Sequence, residues 1–224
     1  MYKNFKKNKY SSGITLIELL VVIFIFMVIT GITIFNYGKF NSSLSIQNLA
    51  DDIALSIRRA QGYAIGVRGF GNSFIKGYGI HFTTNPNTSD LSAGSNKSFI
   101  LFSDINTTTP NKYNYDGTNI CGPLSMANEC LEVLNITSAD QIDSISLVAN
   151  GSTINISPTS TIDILFYRPN PEPKFCYRIN GETSSCDESD NISSIKIKIS
   201  SLSNIGVFKM ITISNNGQIS VSNN

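Results

Sequence analysis

The sequence contains no tryptophan and one histidine, His81, and only 15% of its 224 residues are charged. A single imidazole cannot form a histidine-rich metal site within one chain, because such a site needs several nitrogen ligands. The sequence also has no phosphate-binding glycine loop, no nucleophile elbow and no motif of paired catalytic carboxylates. These absences predict a protein that is not an enzyme and that holds no cofactor.

The charges that are present are unevenly distributed. The first thirteen residues contain four lysines and no acid, whereas the rest of the chain holds 13 of the 17 basic residues and all 16 acidic ones. Recognition of nucleic acid needs clustered Lys and Arg to neutralise phosphates. The mildly acidic body therefore argues against a nucleic-acid partner.

One apolar run, Ile14–Phe35, spans 22 residues and carries a single charge, Glu18. As a helix rising ~1.5 Å per residue it is about 33 Å long, which matches the hydrocarbon core of a bilayer. The lysines before it predict a cytoplasmic N-terminus and an exported remainder. A secretory signal peptide has a shorter apolar core. A simple membrane anchor leaves Glu18 unexplained, because a charge at the bilayer centre costs on the order of 2.5–3.5 kcal/mol.

The start of this run has a specific pattern: a lysine-rich leader, then Ser11-Ser12-Gly13, then an apolar segment with Glu18 at its fifth position. The pattern resembles the class III signal of type IV prepilins. The resemblance implies that a membrane-embedded prepilin peptidase cuts between Gly13 and Ile14 and methylates the new Ile14 amine. It also implies that Glu18 pairs with the Ile14 amine of a neighbouring subunit in a filament. Two departures are Ile14 itself, where Phe or Met is common, and Phe35, where many pilins have Pro.

An apolar stripe at helical spacing extends the predicted helix beyond the membrane, to about residue 67. The stripe consists of Ile46, Leu49, Ile53, Ile57, Ala60 and Ala64. The charged residues Asp51, Asp52, Arg58 and Arg59 fall off it and are predicted to face solvent. The whole helix, about residues 14–67, would be roughly 80 Å long.

Short β-rich runs replace the helical pattern after residue 68, so the fold class is predicted to be α+β: one long N-terminal helix and an antiparallel β-sheet head. The predicted strands are Gly77–Phe82, Ser98–Phe102, Leu131–Ile136, Ser144–Val148, Thr161–Tyr167, Phe175–Ile179, Ser194–Ile199, Phe208–Ser214 and Gln218–Val221. Asn180-Gly181 and Asn216-Gly217 are predicted to form type I′ hairpin turns. The Asn- and Ser-rich stretches, including residues 107–119, are predicted to be surface loops.

The chain is therefore predicted to have four parts. They are a prepilin leader (1–13), a membrane-spanning helix half (14–36), an amphipathic helix half (37–67) and an extracytoplasmic β-rich head (68–224).

Parts of the helix and head are similar to the H-type minor pseudopilin of type II secretion and to the related T-type minor pilin. The similar stretches are Leu49–Gln61, Gly77–Phe82 and Ile211–Val221. This resemblance implies a minor subunit. Some T-type minor pilins bind DNA near the closing hairpin, but that region has no Arg or Lys here. Lys196, Lys198 and Lys209 would form at most a modest patch, and a solvated sheet face is the simpler interpretation.

All four cysteines, Cys121, Cys130, Cys176 and Cys186, follow the apolar run and are predicted to lie outside the cytoplasm, where disulfides form. Four cysteines allow three pairings. The short-range one, Cys121–Cys130 with Cys176–Cys186, is favoured because each pair encloses its own loop. Four reduced, buried thiols are the alternative.

Five polar residues of the head, in three places, are considered as possible reactive or metal-binding groups. His81 lies between Ile80 and Phe82 in a strand pattern, which indicates a structural histidine rather than a general base. Asp163 lies in an apolar strand, where the simplest expectation is a side chain that points outward. Asp104 begins an oxygen-rich loop with Asn106 and Asp116, but the spacing does not fit a twelve-residue calcium loop. The sequence thus predicts no metal site, although it does not exclude calcium in this loop.

The predicted function is structural: a subunit, more typical of a minor than of a major one, of a type IV pilus or a type II secretion pseudopilus. The expected partners are other pilin or pseudopilin subunits, the prepilin peptidase, the cytoplasmic membrane and the assembly platform. The expected location is the cytoplasmic (inner) membrane, crossed once with the head outside, and then an extracytoplasmic filament. A DNA-uptake pilin and an anchored sensor or adhesin that never polymerises are the alternatives.

Overall fold

The computed structural model describes residues 13–66, 77–86, 94–105, 115, 121, 129–156, 160–170, 172–178 and 192–223. It contains one helix, α1 (Leu16–Ile65), and ten strands. The strands are β1 (Gly77–Thr83), β2 (Ser98–Asp104), β3 (Cys130–Asn135), β4 (Asp140–Ala149), β5 (Ser152–Ile156), β6 (Thr161–Phe166), β7 (Pro173–Arg178), β8 (Ile192–Ser201), β9 (Phe208–Ser214) and β10 (Ile219–Ser222). The predicted α+β class is confirmed, with two antiparallel sheets in place of one.

The chain divides into two compact units, residues 1–40 and 41–224. In the second unit the strands form two five-stranded sheets, in the orders β3-β2-β1-β6-β7 and β10-β9-β8-β4-β5. Every pairing is antiparallel. The four parts predicted from the sequence, residues 1–13, 14–36, 37–67 and 68–224, stay a prediction.

One hydrophobic core joins the helix to both sheets. The predicted stripe of α1 is buried along its whole length, from Ile46 to Ala64. It belongs to the same cluster as alternate residues of β1, β2 and β6 in the first sheet and of β4, β8 and β9 in the second. Alternate residues of a strand point to one face, so each strand contributes every second side chain to this core. The stripe at helical spacing was therefore predicted correctly.

The first sheet is buried on its other face as well. A second cluster on that face contains Ile100, Phe102, Leu165, Cys130 and Tyr115. Tyr115 belongs to the connection between β2 and β3, which the sequence predicted to be a surface loop, yet its side chain is buried. The loop prediction is wrong at this position because the aromatic ring covers the outer face of the sheet.

Two turns differ from the sequence prediction. Asn150-Gly151 connects β4 to β5, and both residues have positive φ (51° and 75°), as a type I′ turn requires. Neither this turn nor β5 was predicted, although Asn-Gly is the usual sequence signature of such a hairpin. At the closing hairpin, Ser214 N–H bonds to the Gln218 carbonyl, and only Gly217 has positive φ. That hairpin is therefore a three-residue loop with a left-handed glycine, not a type I′ turn. Asn180-Gly181 lies outside the described residues.

Candidate functional site

The peptide bond between Gly13 and Ile14 lies in a short non-helical segment directly before α1. Thr15 caps the helix: its Oγ1 accepts a hydrogen bond from the Glu18 N–H at 3.3 Å. This is how an N-cap side chain satisfies a donor that the first helical turn leaves unbonded. Thr15 was not singled out from the sequence, although Thr followed three positions later by Glu is a signature of a helix start. The Gly13–Ile14 bond is thus outside the helix, and Ile14 is exposed.

Glu18 lies in the first turn of α1 and is exposed. A negative charge is favourable there because it faces the positive end of the helix dipole. Among the residues that the structure describes, none hydrogen-bonds or ion-pairs with the carboxylate of Glu18. The carboxylate therefore keeps its bonding capacity for a group outside this part of the chain.

The polar side chains farther along the apolar half are satisfied within the helix itself. Thr30 Oγ1 donates to the Phe26 carbonyl at 2.8 Å, and Thr33 Oγ1 donates to the Thr30 carbonyl at 2.8 Å. Asn36 Nδ2 donates to the Ile32 carbonyl at 3.1 Å. Such internal bonds allow polar residues to enter lipid, where no water is present to satisfy them.

The apolar half of α1 is long and apolar enough to cross a membrane, and none of its most apolar eighteen-residue window is buried inside the protein. The exposed side chains include Val21, Phe24, Phe26 and Ile29. An exposed apolar surface of this extent requires a covering of lipid or of other chains.

The amphipathic half of α1 is tied to the first sheet by a charge pair. Arg59 Nη2 donates to Glu132 Oε2 on β3, and its guanidinium lies 5.6 Å from the ring centroid of Tyr63. Burial lowers the pKa of Arg59, but the hydrogen bond and charge of Glu132, together with Tyr63, outweigh it, so the pKa is raised. Arg59 was predicted to face solvent, but its side chain is only 37% exposed because it packs beside Tyr63 and pairs with Glu132. Asp51, by contrast, is exposed and accepts a hydrogen bond from Gln47 Nε2, four residues earlier, at 2.9 Å.

The structure joins Cys121 to Cys130, with their Cα atoms 4.7 Å apart. This is one of the two short-range pairs that the sequence favoured. The bond fastens the β2–β3 connection to the first residue of β3 and lies beside the outer cluster. Cys176 is also disulfide-bonded, and Cys186 lies outside the described residues.

His81 and Asp163 form a buried pair on the outer face of the first sheet. They are directly opposite each other on β1 and β6, and His81 Nδ1 lies 2.6 Å from Asp163 Oδ1. The other carboxylate oxygen, Asp163 Oδ2, accepts a hydrogen bond from the Tyr115 N–H at 3.2 Å. The pair thus holds Tyr115 over the sheet, which agrees with a structural histidine. The Asp163 side chain does point outward from the main core, as the sequence predicted, but it is buried because Tyr115 covers it.

The other residues considered from the sequence do not converge on a site. Lys196 and Lys198 alternate with buried isoleucines of β8 and so lie on the face of the second sheet away from the core. Lys209 of β9 lies directly opposite the buried Ile199 and is therefore on the core-facing side. Lys198 is also bonded to Asp143, with Nζ and Oδ2 2.7 Å apart. The three lysines therefore do not share one face, and the modest patch that the sequence left as an alternative does not form.

Asp104, the first residue of the oxygen-rich loop that was considered for calcium, is buried and accepts a hydrogen bond from the Tyr167 hydroxyl. Asn106 and Asp116 lie outside the described residues. Within the part of the chain that the structure describes, no three His, Cys, Asp or Glu residues are grouped to hold a metal ion.

Residues 8–34 match the family model of the prokaryotic N-terminal methylation motif. No curated protein and no solved structure matches the chain. A motif of this kind implies processing by a prepilin peptidase and assembly with other pilin subunits. It stands at the start of a long apolar helix that is followed by antiparallel sheets, and the chain is a type IV pilin-like protein.

Proposed function

We propose that this protein is a structural, minor subunit of a type IV pilus or of a type II secretion pseudopilus. It is made as a precursor that crosses the cytoplasmic membrane once, with residues 1–13 inside and the head outside. A prepilin peptidase removes the leader between Gly13 and Ile14 and methylates the Ile14 amine. The freed subunit then enters a filament through its N-terminal helix.

The observation that carries this proposal is the carboxylate of Glu18. It is the one charge in a long apolar surface, and no described residue of its own chain neutralises it. Transfer from lipid into a packed filament keeps the carboxylate in apolar surroundings, so it needs a cation there. The Ile14 amine of a neighbouring subunit supplies that cation and fixes the axial position at which two helices pack.

A structural role also agrees with the head. Its disulfide and its His81–Asp163 pair stabilise a loop-rich sheet surface rather than present reactive groups. The proposal of a minor subunit rests on the resemblance to the H-type and T-type proteins. Lys209 lies on the other face of the second sheet from Lys196 and Lys198, which argues against the lysine patch that the DNA-uptake alternative would need.

Exchange of Glu18 tests the proposal. In cells that assemble the filament, Glu18→Ala and Glu18→Gln are expected to give inserted and processed protein that is nearly absent from sheared filaments. Loss of one partner of a buried ion pair costs roughly 3–5 kcal/mol, so incorporation should fall by at least about a hundredfold. Asp51→Ala, which removes another exposed acid of the same helix, is the control and should assemble normally.

Mass spectrometry of the same filaments checks the chemistry at the N-terminus. The incorporated protein should begin at Ile14 and carry one extra methyl group on its amine. Filaments that contain the chain with Met1 to Gly13 still attached, or normal incorporation of Glu18→Ala, would contradict the proposal.

A further inference from the structure

Large apolar side chains are seldom exposed on the described part of the chain outside α1. Apart from Ile14, directly before the helix, only Ile154, Leu202 and Ile205 of the described residues are in this class, and two of them lie in one connection, residues 202–207 between β8 and β9. Ile205 is fully exposed, and the connection contains no charged residue. We call residues 202–207 the apolar tip.

The apolar tip has a defined conformation rather than a random one. Ser201 N–H donates to the Val207 carbonyl at 3.0 Å, which closes the base of the connection. Val207 N–H donates to the Asn204 carbonyl at 3.2 Å, and Gly206 takes the positive φ (93°) that completes the turn. A surface that is ordered before it binds loses little conformational entropy on binding.

The apolar tip is tied to α1 close to the end of the apolar span. Asn204 Nδ2 donates to Ser42 Oγ at 2.5 Å. Ser42 follows residue 36, the proposed end of the span, by six positions, a distance of about 9 Å in a helix and at most about 20 Å in an extended chain. The headgroup layer on each side of the hydrocarbon core is roughly 5–8 Å thick. The tether therefore keeps the apolar tip within reach of the bilayer interface.

The surroundings of Ser42 suit a lipid interface. The stretch from residue 36 to residue 48 contains Tyr37 and Lys39 and no acid. Tyrosine and lysine are favoured at the level of the headgroups, where an apolar body and a polar end are both satisfied. The nearby carboxylate of Asp140 is buried and accepts hydrogen bonds from Ser45 and Ser138, so it does not present a negative charge to anionic lipids.

We propose that the apolar tip inserts Leu202 and Ile205 into the outer leaflet of the cytoplasmic membrane and so seats the head on the bilayer before the subunit enters a filament. This inference rests on the membrane anchoring in the proposed function. The inserted side chains hold the head of the unassembled subunit in one orientation on the bilayer. This contact with lipid must break when the subunit leaves the membrane and enters a filament.

Fluorescence quenching in bilayers tests this inference on the full-length protein. Single cysteines are introduced as Ile205→Cys, Ile154→Cys and Val28→Cys, and each is labelled with an environment-sensitive fluorophore after reconstitution into phosphatidylethanolamine–phosphatidylglycerol vesicles. Unsubstituted protein serves as the labelling blank. Ile154→Cys is the matched control, because Ile154 is likewise an exposed isoleucine of the head but lies on β5, away from the apolar tip in sequence. Val28→Cys reports whether the apolar span is in the bilayer.

Lipids with a nitroxide near the headgroup are expected to quench most of the fluorescence at position 205 and to leave position 154 unchanged, with a blue-shifted emission at 205 only. Quenching at 28 with equal, weak quenching at 205 and 154 would overturn the docking of the apolar tip and leave the proposed function standing. No quenching at 28 by lipids that carry a nitroxide midway along the acyl chain would overturn the anchoring and the inference with it. A label at 205 that is shielded only in assembled filaments would assign the tip to a neighbouring subunit and would equally overturn lipid docking.

Discussion

Asp163 and Asp143 each join a basic side chain across two strands, at nearly the same distance but in different surroundings. Asp163 Oδ1 lies 2.6 Å from His81 Nδ1, with side-chain exposures of 2% and 6%. Asp143 Oδ2 lies 2.7 Å from Lys198 Nζ, and both side chains are 34% exposed. The same substitution to alanine at the two positions therefore compares the loss of a buried carboxylate with the loss of an exposed one.

Asp163→Ala removes the carboxylate that bonds two buried groups, the His81 ring nitrogen and the Tyr115 N–H. An unsatisfied buried group costs about 1–3 kcal/mol, so the free energy of unfolding should fall by about 2–6 kcal/mol. For a chain of this size that corresponds to a melting temperature lower by roughly 5–20 °C. Asp143→Ala breaks an exposed pair and should cost less than about 1 kcal/mol, because water solvates the lysine that remains.

Thermal unfolding in detergent micelles, followed by near-ultraviolet circular dichroism, measures this difference. The chain has no tryptophan and nine tyrosines, so the signal reports the tyrosine environment, including that of Tyr115. Both variants are compared with the unsubstituted protein in the same micelles. Equal losses for the two variants, or a loss for Asp163→Ala below about 1 kcal/mol, would refute the conclusion that the buried pair holds Tyr115 on the sheet.

Two further predictions concern α1 and the first sheet. Ile57→Ala removes a fully buried side chain of the helical stripe and should lower the free energy of unfolding by about 2–5 kcal/mol. Leu55→Ala, on the exposed side of the helix, should change it by less than about 0.5 kcal/mol. Equal effects of the two substitutions in urea unfolding would contradict the assigned helix face. Gly79→Ala would bring its Cβ to 2.6 Å from the Ile164 carbonyl oxygen and should destabilise the head by roughly 1–3 kcal/mol. Gly62→Ala, in open space on the helix, should stabilise it by up to about 1 kcal/mol, and the opposite order of melting temperatures would show that the close strand approach is wrong.

The sequence was sufficient to predict the features that depend on local patterns. The prepilin motif follows from Gly13, Glu18 and the apolar run, all of which are contiguous in the chain. The buried stripe of α1 follows from a spacing of three and four residues, because a helix turns once every 3.6 residues. Nine of the ten described strands were predicted because runs of β-branched and aromatic residues are bounded by turn residues. Strand β5 was missed, although Asn150-Gly151 is the sequence signature of the turn that precedes it.

Only the tertiary structure decided which distant residues meet. The division into two sheets depends on pairings between strands far apart in sequence, such as β1 with β6 and β4 with β8. The β1–β6 pairing places Asp163 opposite His81, and the β8–β9 register puts Lys209 on a different face from Lys196. Local pattern gives the face of a strand but not what covers that face, so the burial of Asp163 under Tyr115 and the position of the apolar tip beside Ser42 required the folded chain.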